Sequence, residues 1–215
     1  MKRETYVKLT AVILVSLTNF WIWKVLSHSF LLGFILILIS VFLVFKVKLA
    51  TTVLLLLLGM YLIKTNFDTG LIVNSPLESN QLANRYEYYA QDFGNIYKNR
   101  IGLYLNYKLL PFFSKYERNL AYNLDPNLYF FANHPRERAG VAEFEKFPAV
   151  FLPFFIIGIG YLLAEGFGFF VLYLTLSLLL STFVSPGYYL GPILIFPFVV
   201  TVIYTGFSKV LRKKI

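Results

Sequence analysis

The chain has 215 residues, of which 58% are hydrophobic and 14% charged, and its mean hydropathy is +0.65. Soluble domains carry about 25% charged residues, so this composition indicates an integral membrane protein. The sequence contains no cysteine, which excludes a disulfide framework and thiolate metal sites, and its formal net charge is +9.

The positive charge lies beside the apolar runs. Residues 65–146 carry nine basic and nine acidic side chains, so the excess belongs to the rest of the chain. Lysine and arginine at the ends of apolar runs set the orientation of a membrane protein, whereas a nucleic-acid surface gathers them in one patch. We therefore expect the lipid bilayer as a partner and no nucleic acid.

Six apolar runs have roughly the length needed to cross a hydrocarbon core of about 30 Å. They occupy residues 9–26, 30–45, 49–63, 147–164, 167–184 and 188–207. The third run is the shortest, because 15 helical residues reach only about 22 Å. The predicted fold class is an all-α integral membrane protein with six transmembrane helices in a 3+3 arrangement.

The predicted organisation has three parts. Residues 1–64 form a three-helix transmembrane unit, residues 65–146 a small aromatic-rich helical cap, and residues 147–215 a second three-helix unit with a basic tail. Short-loop lysines and arginines collect on one side when both termini are cytoplasmic. This places the protein in the plasma or inner membrane as a multi-pass protein, with residues 65–146 extracytoplasmic.

Side chains in and near the spans suggest how the helices pack. Trp21 and Trp23 are expected at a membrane interface, and Asn19 is expected to form a hydrogen bond between packed helices. Small residues permit close approach of the fourth and fifth helices, and these are Gly158, Gly160, Gly166 and Gly168.

The cap is predicted to be helical without a sheet. Apolar spacing predicts a helix over residues 76–93 that stops at Gly94, a second over 95–110, and a short one from Asp125-Pro126 through Phe131. The cap has too many aromatic side chains to bury within itself. They indicate either a cap lying on the membrane surface or a groove for an acyl or polyprenyl chain.

The densest charge cluster lies at the end of the cap and directly precedes the fourth apolar run. Arg136 and Arg138, with His134 and Lys146, are the candidate ligands of a phosphate or lipid headgroup, because guanidinium groups pair with phosphate oxygens in a bidentate way. The acidic residues are candidates for acid–base work or for ion pairs, and they are Glu137, Glu143 and Glu145. The alternative is that these charges pair with one another and anchor the loop.

No motif in the sequence identifies a reaction that the protein would catalyse. The sequence has neither a phosphate-cradling glycine loop nor a zinc-ligand spacing, so we expect no cofactor and no bound metal. The many spans and the aromatic outer cap resemble enzymes that use lipid-linked sugars. Those enzymes place a catalytic carboxylate in the first outer loop, where this chain has Ser27-His28-Ser29.

The resulting hypothesis is a protein that binds or handles a phospholipid or a polyprenyl-phosphate sugar at the outer membrane surface, as an accessory or truncated glycosyltransferase-like component. Whether it is an enzyme stays open. One alternative is a non-catalytic assembly subunit whose cap docks another membrane protein. Another is a small transporter, which the division into three and three spans permits.

Overall fold

The computed structural model describes residues 2–94, 99–131, 144–164 and 168–212. These ranges consist of helices and their connections and contain no β-strand, although an isolated antiparallel bridge joins Phe67 to Val184. The prediction of an all-α protein is confirmed.

The α-helices of the described ranges are numbered here in chain order. They are α1 (Lys2–Leu17), α2 (Phe20–His28), α3 (Phe30–Val44), α4 (Lys48–Asn66), α5 (Pro76–Phe93), α6 (Arg100–Tyr104), α7 (Leu110–Leu124), α8 (Asn127–Phe130), α9 (Leu152–Ala164), α10 (Gly168–Thr182) and α11 (Phe196–Arg212). A π-helical turn, Leu105–Leu109, joins α6 to α7, and 3₁₀ turns occupy Thr69–Leu71, Ala149–Phe151 and Ile193–Ile195.

Two helical segments of the described ranges are long and apolar enough to cross a membrane. They are Lys48–Asn66 and Ile193–Leu211, and a third span results if the bent pair α1 and α2 counts as one. The third apolar run is therefore longer as a helix than as a hydrophobic stretch, because polar flanking residues extend it. The apolar helices Phe30–Val44, Ala149–Ala164 and Gly168–Thr182 are shorter.

The first apolar run is broken, where the sequence predicted one continuous helix over residues 9–26. The axes of α1 and α2 differ by 79°. Asn19 causes the break, because its backbone is extended and its side-chain oxygen accepts a hydrogen bond from the amide of Ile22, which caps α2. The expected hydrogen bond between helices is thus a cap within one helix pair.

The same break satisfies the carbonyl groups that end α1. The side-chain amide of Asn19 donates to Val15 and Ser16, and the Thr18 hydroxyl donates to Leu14. The indole of Trp23 donates to Leu17 at 2.8 Å. Each of the last four carbonyls of α1 therefore has a donor from the break itself, so the bend leaves none of them without a hydrogen bond.

Trp21 is a core residue, which corrects its expected place at an interface. Its side chain is 0% exposed, and its ring contacts Tyr129, Phe147 and Phe196 at centroid distances of 5.6–6.0 Å. The indole N–H donates to the carbonyl of Leu190 at 2.6 Å. Trp23 is largely exposed, and its expected place at a membrane interface stays a prediction.

The ends of the helices lie in two layers, one at each end of the bundle. In one layer, which we call the cap end, the Ser185 amide donates to the Asn66 carbonyl, and the ring of His28 stands edge-on to Tyr189. In the opposite layer the ammonium of Lys209 lies 4.7 Å from the centre of the Tyr161 ring. Consequently α4 and α10 run toward the cap end, whereas α3, α9 and α11 run away from it.

Glycine packing joins α9 to α11, where the sequence predicted contact between the fourth and fifth helices. A Cβ atom added to Gly158 would fall on the carbonyl oxygen of Val202, and one added to Gly206 would fall on the carbonyl oxygen of Phe154. Gly160 and Gly168 face open space, and Gly166 lies outside the described residues. The close approach is therefore between α9 and the last helix.

Substituting Gly158 with alanine should destabilise the bundle. The new methyl group overlaps the α11 backbone, and overpacking of this kind costs about 1–3 kcal/mol. Gly160→Ala is the matched control, because it lies two residues away in the same helix and its Cβ meets nothing within 4 Å. We expect a lower apparent melting temperature only for Gly158→Ala. Equal melting temperatures for the two variants would contradict the α9–α11 contact.

Candidate functional site

Most of the predicted phosphate-binding cluster lies outside the described residues. This holds for His134, Arg136, Glu137, Arg138 and Glu143. Their roles stay predictions.

Lys146 lies in the interior beside Trp21. It is 2% exposed, and its ammonium donates to the carbonyl of Leu128 at 2.8 Å. The same ammonium lies 4.9 Å from the centre of the Phe144 ring and 5.6 Å from the Trp21 ring. Glu145, the other predicted residue of this segment that the structure describes, is half-buried. Lys146 thus lies at the junction between the cap and the bundle.

A separate cleft lies within the cap, between α5 and the α6–α7 segment. Its volume is about 220 Å³. The α5 side is formed by Glu78, Leu82, Arg85 and Tyr86, and the other side by Asn106, Leu110, Pro111, Ser114, Lys115 and Arg118. We call this feature the cap cleft.

Local sequence signals position the α5 side of the cap cleft. Ser75 and Glu78 form a capping box, in which the Ser75 hydroxyl accepts from the Glu78 amide and the Glu78 carboxylate accepts from the Ser75 amide. Pro76 occupies the first turn, where its missing N–H costs nothing. The helix ends at Gly94 with a positive φ of 62°, so the predicted bounds of 76–93 are confirmed.

Pro111 explains the π-helical turn on the other side of the cap cleft. A proline within a helix provides no N–H and its ring crowds the carbonyl one turn earlier, so the chain widens. The Leu110 amide accordingly donates to the Leu105 carbonyl, five residues back. The wider turn presents Asn106 to the cleft, while its side-chain amide donates to the Gly102 carbonyl. π-Turns are frequent at functional sites.

Lys115 lies at the bottom of the cap cleft, and its ammonium group already has partners within the protein. Its buried ammonium lies 3.2 Å from the Glu78 carboxylate and donates to Asn74 Oδ1 and to the Val73 carbonyl. The hydrogen bond from the Ser75 amide lowers the pKa of Glu78, and the interaction with Lys115 lowers it further. The Glu78 carboxylate therefore remains ionised and holds Lys115 in place.

Arg85 and Arg118 lie at the exposed rim. Within the described residues neither forms a salt bridge, although the Arg85 guanidinium lies 5.6 Å from the centre of the Tyr89 ring. The lining of the cap cleft thus carries three cationic side chains and one carboxylate. Two guanidinium groups beside a fixed ammonium suit a phosphate or another compact anion, because each can donate two parallel hydrogen bonds.

The cap cleft was not predicted from the sequence. Arg85 and Arg118 are far apart along the chain, and each lies on a helix among residues of mixed charge. The one available signal was helical spacing, since Glu78, Leu82 and Arg85 share a face of α5. That spacing alone does not say which helix the face opposes.

A second polar feature lies where α7 crosses the end of α10. The side-chain amide of Asn119 donates to Asp68 and to the Thr182 carbonyl. Asn119 Oδ1 and Ser181 Oγ are buried without a hydrogen-bond partner among the described residues, and both residues line a void of about 10 Å³. A void of this size with polar walls can hold one water molecule.

The structure offers no metal centre in the ranges that it describes. Within them no three histidine, aspartate or glutamate side chains converge as ligands. Asp68 caps the 3₁₀ turn Thr69–Leu71, accepting a hydrogen bond from the Gly70 amide at 3.0 Å.

Replacing Glu78 with glutamine should remove a pH-dependent part of the stability. Because the folded-state pKa of Glu78 is lowered, its contribution is present above the ordinary carboxyl pKa and is lost as pH falls through the lowered value. We expect Glu78→Gln to melt below the wild type at pH 7, with the gap closing in acid. Glu87→Gln, an exposed glutamate of the same helix, is the control. A gap for Glu78→Gln that stays constant down to acidic pH would refute this assignment.

No protein-family model, no curated protein and no solved structure matches this chain.

Proposed function

We propose that the chain is a six-span protein of the cell-envelope membrane that binds the anionic headgroup of a phospholipid or a polyprenyl-phosphate sugar at its outer surface. In this proposal α1, α3, α4, α9, α10 and α11 are the spans, and α2 lies along the outer surface. The cap cleft holds the headgroup. The role is that of a binding or accessory component.

The alternating direction of the helices supports six spans. From α3 onward, each successive apolar helix reverses direction between the cap end and the opposite layer, as spans joined by loops must. The opposite layer carries Lys46, whose ammonium lies 6.0 Å from the Phe170 ring, and Lys209. Basic residues at these ends fit a cytoplasmic layer, which supports an extracytoplasmic position for the cap.

The cap cleft is the observation that carries the headgroup proposal. It combines two rim arginines with a lysine floor, and its remaining walls include Leu82, Leu110 and Pro111. Phosphate oxygens suit the cationic part, and the first carbons beyond the phosphate suit the apolar part. A lipid headgroup joins these two chemistries in one molecule.

Binding is favoured over catalysis by the state of the acidic residue. Glu78 already accepts a hydrogen bond from Ser75 and pairs with Lys115, so it is a positioning residue for the lysine. Its lowered pKa also makes it a weak proton acceptor. The cap cleft therefore suits recognition of an anion.

A docking subunit is the second candidate, and exposed apolar side chains of the cap favour it. Leu77 and Tyr88 of α5 and Ile101 and Tyr104 of α6 are each at least 60% exposed. Exposed apolar groups on a small domain mark contact surfaces for proteins or membranes.

The decisive test is native mass spectrometry of the gently extracted protein. We expect a co-purifying anionic lipid in the wild type, and its loss in Arg85→Ala/Arg118→Ala, because both guanidinium groups are removed. Arg100→Ala is the matched control, being an exposed arginine of α6 outside the cleft lining. The mass of the lost species distinguishes a phospholipid from a polyprenyl phosphate. Displacement of the bound species by inorganic phosphate alone would indicate that the ligand of the cleft is a soluble anion.

Two results would redirect the assignment. Loss of the lipid only in Arg136→Ala/Arg138→Ala would move the site to the cluster predicted from sequence. Retention of the same lipid in every variant, or its absence from the wild type, would refute headgroup binding and favour the docking subunit.

A further inference from the structure

Helix α7 differs from a typical helix of a soluble domain, because its buried side chains are polar while large apolar side chains are exposed. Its buried side chains are polar and lie four residues apart, at Lys115, Asn119 and Asn123. Its opposite face carries Phe113 and Leu124, which are 55% and 53% exposed. A helix that packs on a domain in water buries its apolar stripe and exposes its polar one.

Two of these three buried polar side chains, Lys115 and Asn119, have specific hydrogen-bond partners. Lys115 pairs with Glu78, and Asn119 donates to Asp68 and Thr182. The backbone carbonyl of Asn123 accepts a hydrogen bond from the Tyr129 hydroxyl. These contacts fix which face of α7 points to the protein, so Phe113 and Leu124 point outward together with the exposed Glu117.

The position of α7 along the bundle indicates which surroundings its outward face contacts. The ring of Tyr116 lies 5.3 Å from that of Phe183, immediately after the end of α10, and Asn119 reaches the Thr182 carbonyl. Thus α7 lies at the level where α10 ends. In the proposed orientation this level is the outer boundary of the hydrocarbon, where amphipathic helices place their apolar side chains among acyl chains.

The charged side chains of α7 limit how deeply this helix can lie in the bilayer. Glu117 and Arg118 are exposed on α7, and a charged side chain at the centre of a bilayer is costly. At headgroup depth both remain hydrated while Phe113 and Leu124 reach the first methylene groups. The combination of exposed charged and apolar side chains therefore fits the interface and excludes the hydrocarbon centre.

We propose that α7 lies in the outer leaflet at the boundary between headgroups and acyl chains, so that the cap cleft opens sideways onto the lipid. This inference rests on the proposed function and deepens it. Leu110 supports it directly, because it both lines the cleft and is 51% exposed. In this arrangement a bound lipid keeps its chains in the bilayer while its headgroup lies between Arg85 and Arg118. A freely soluble anion does not require a cleft that opens onto the bilayer.

Nitroxide scanning tests the depth of α7 in nanodiscs, because the cysteine-free chain accepts single labels without background. Phe113→Cys and Leu124→Cys probe the outward face at two independent exposed positions. Leu57→Cys, at an exposed position of α4, is the lipid control, and Glu87→Cys, on the exposed side of α5, is the aqueous control. The measurement is collision with dissolved oxygen against collision with a water-soluble nickel chelate.

We expect labels at 113 and 124 to collide preferentially with oxygen, as at Leu57, and the label at 87 to collide preferentially with nickel. Nickel-dominated collisions at both 113 and 124, with Leu57 still lipid-like, would overturn the placement of α7 and leave headgroup binding standing. Nickel-dominated collisions at Leu57 as well would overturn the membrane proposal on which the inference rests.

Discussion

The hydrogen bonds of Trp21 hold together parts of the chain that are far apart in sequence. Its backbone amide donates to the carbonyl of Lys146, just before α9, and its indole N–H donates to Leu190, just before α11. Its ring packs on Phe147, five residues before α9, and on Phe196, the first residue of α11. The extended backbone at Asn19 is what aims Trp21 there, so the bend between α1 and α2 and the starts of two later helices depend on one another.

This junction also explains the environment of Lys146. Its neighbour Phe147 donates to the Tyr129 carbonyl at 2.8 Å, and its own ammonium donates to Leu128, so both contacts hold the end of the cap against the bundle. Aromatic rings on two sides stabilise the buried ammonium through cation–π contacts. The arginines of the cap cleft, in contrast, lie at an exposed rim. Lys146 therefore contributes to packing, whereas the cleft arginines lie at the exposed rim to which the proposed function assigns recognition.

The sequence patterns predicted those features that depend on interactions between residues close together in the chain. The all-α class and the helix over residues 76–93 follow from apolar spacing, a proline and Gly94, all of which act within a few residues. The break at Asn19 was missed because hydropathy averages over it, and the burial of Trp21 because burial depends on a partner at Leu190. The cap cleft was missed for the same reason, since Arg85 and Arg118 line one cleft only through tertiary packing of α5 on the π-helical turn.

The shortness of several helices connects the bundle to its proposed function. Helices α3 and α10 have 15 residues each, which gives about 22 Å, whereas a hydrocarbon core is about 30 Å thick. A bilayer adapts to short spans by thinning, which draws headgroups toward the protein ends. In the proposed orientation the outer headgroups then approach the ends of α4 and α10, where α7 lies across the bundle. In the proposed orientation the short helices and the exposed apolar side chains of α7 would act in the same direction, because both would bring lipid phosphates to the level of Arg118 and the cap cleft.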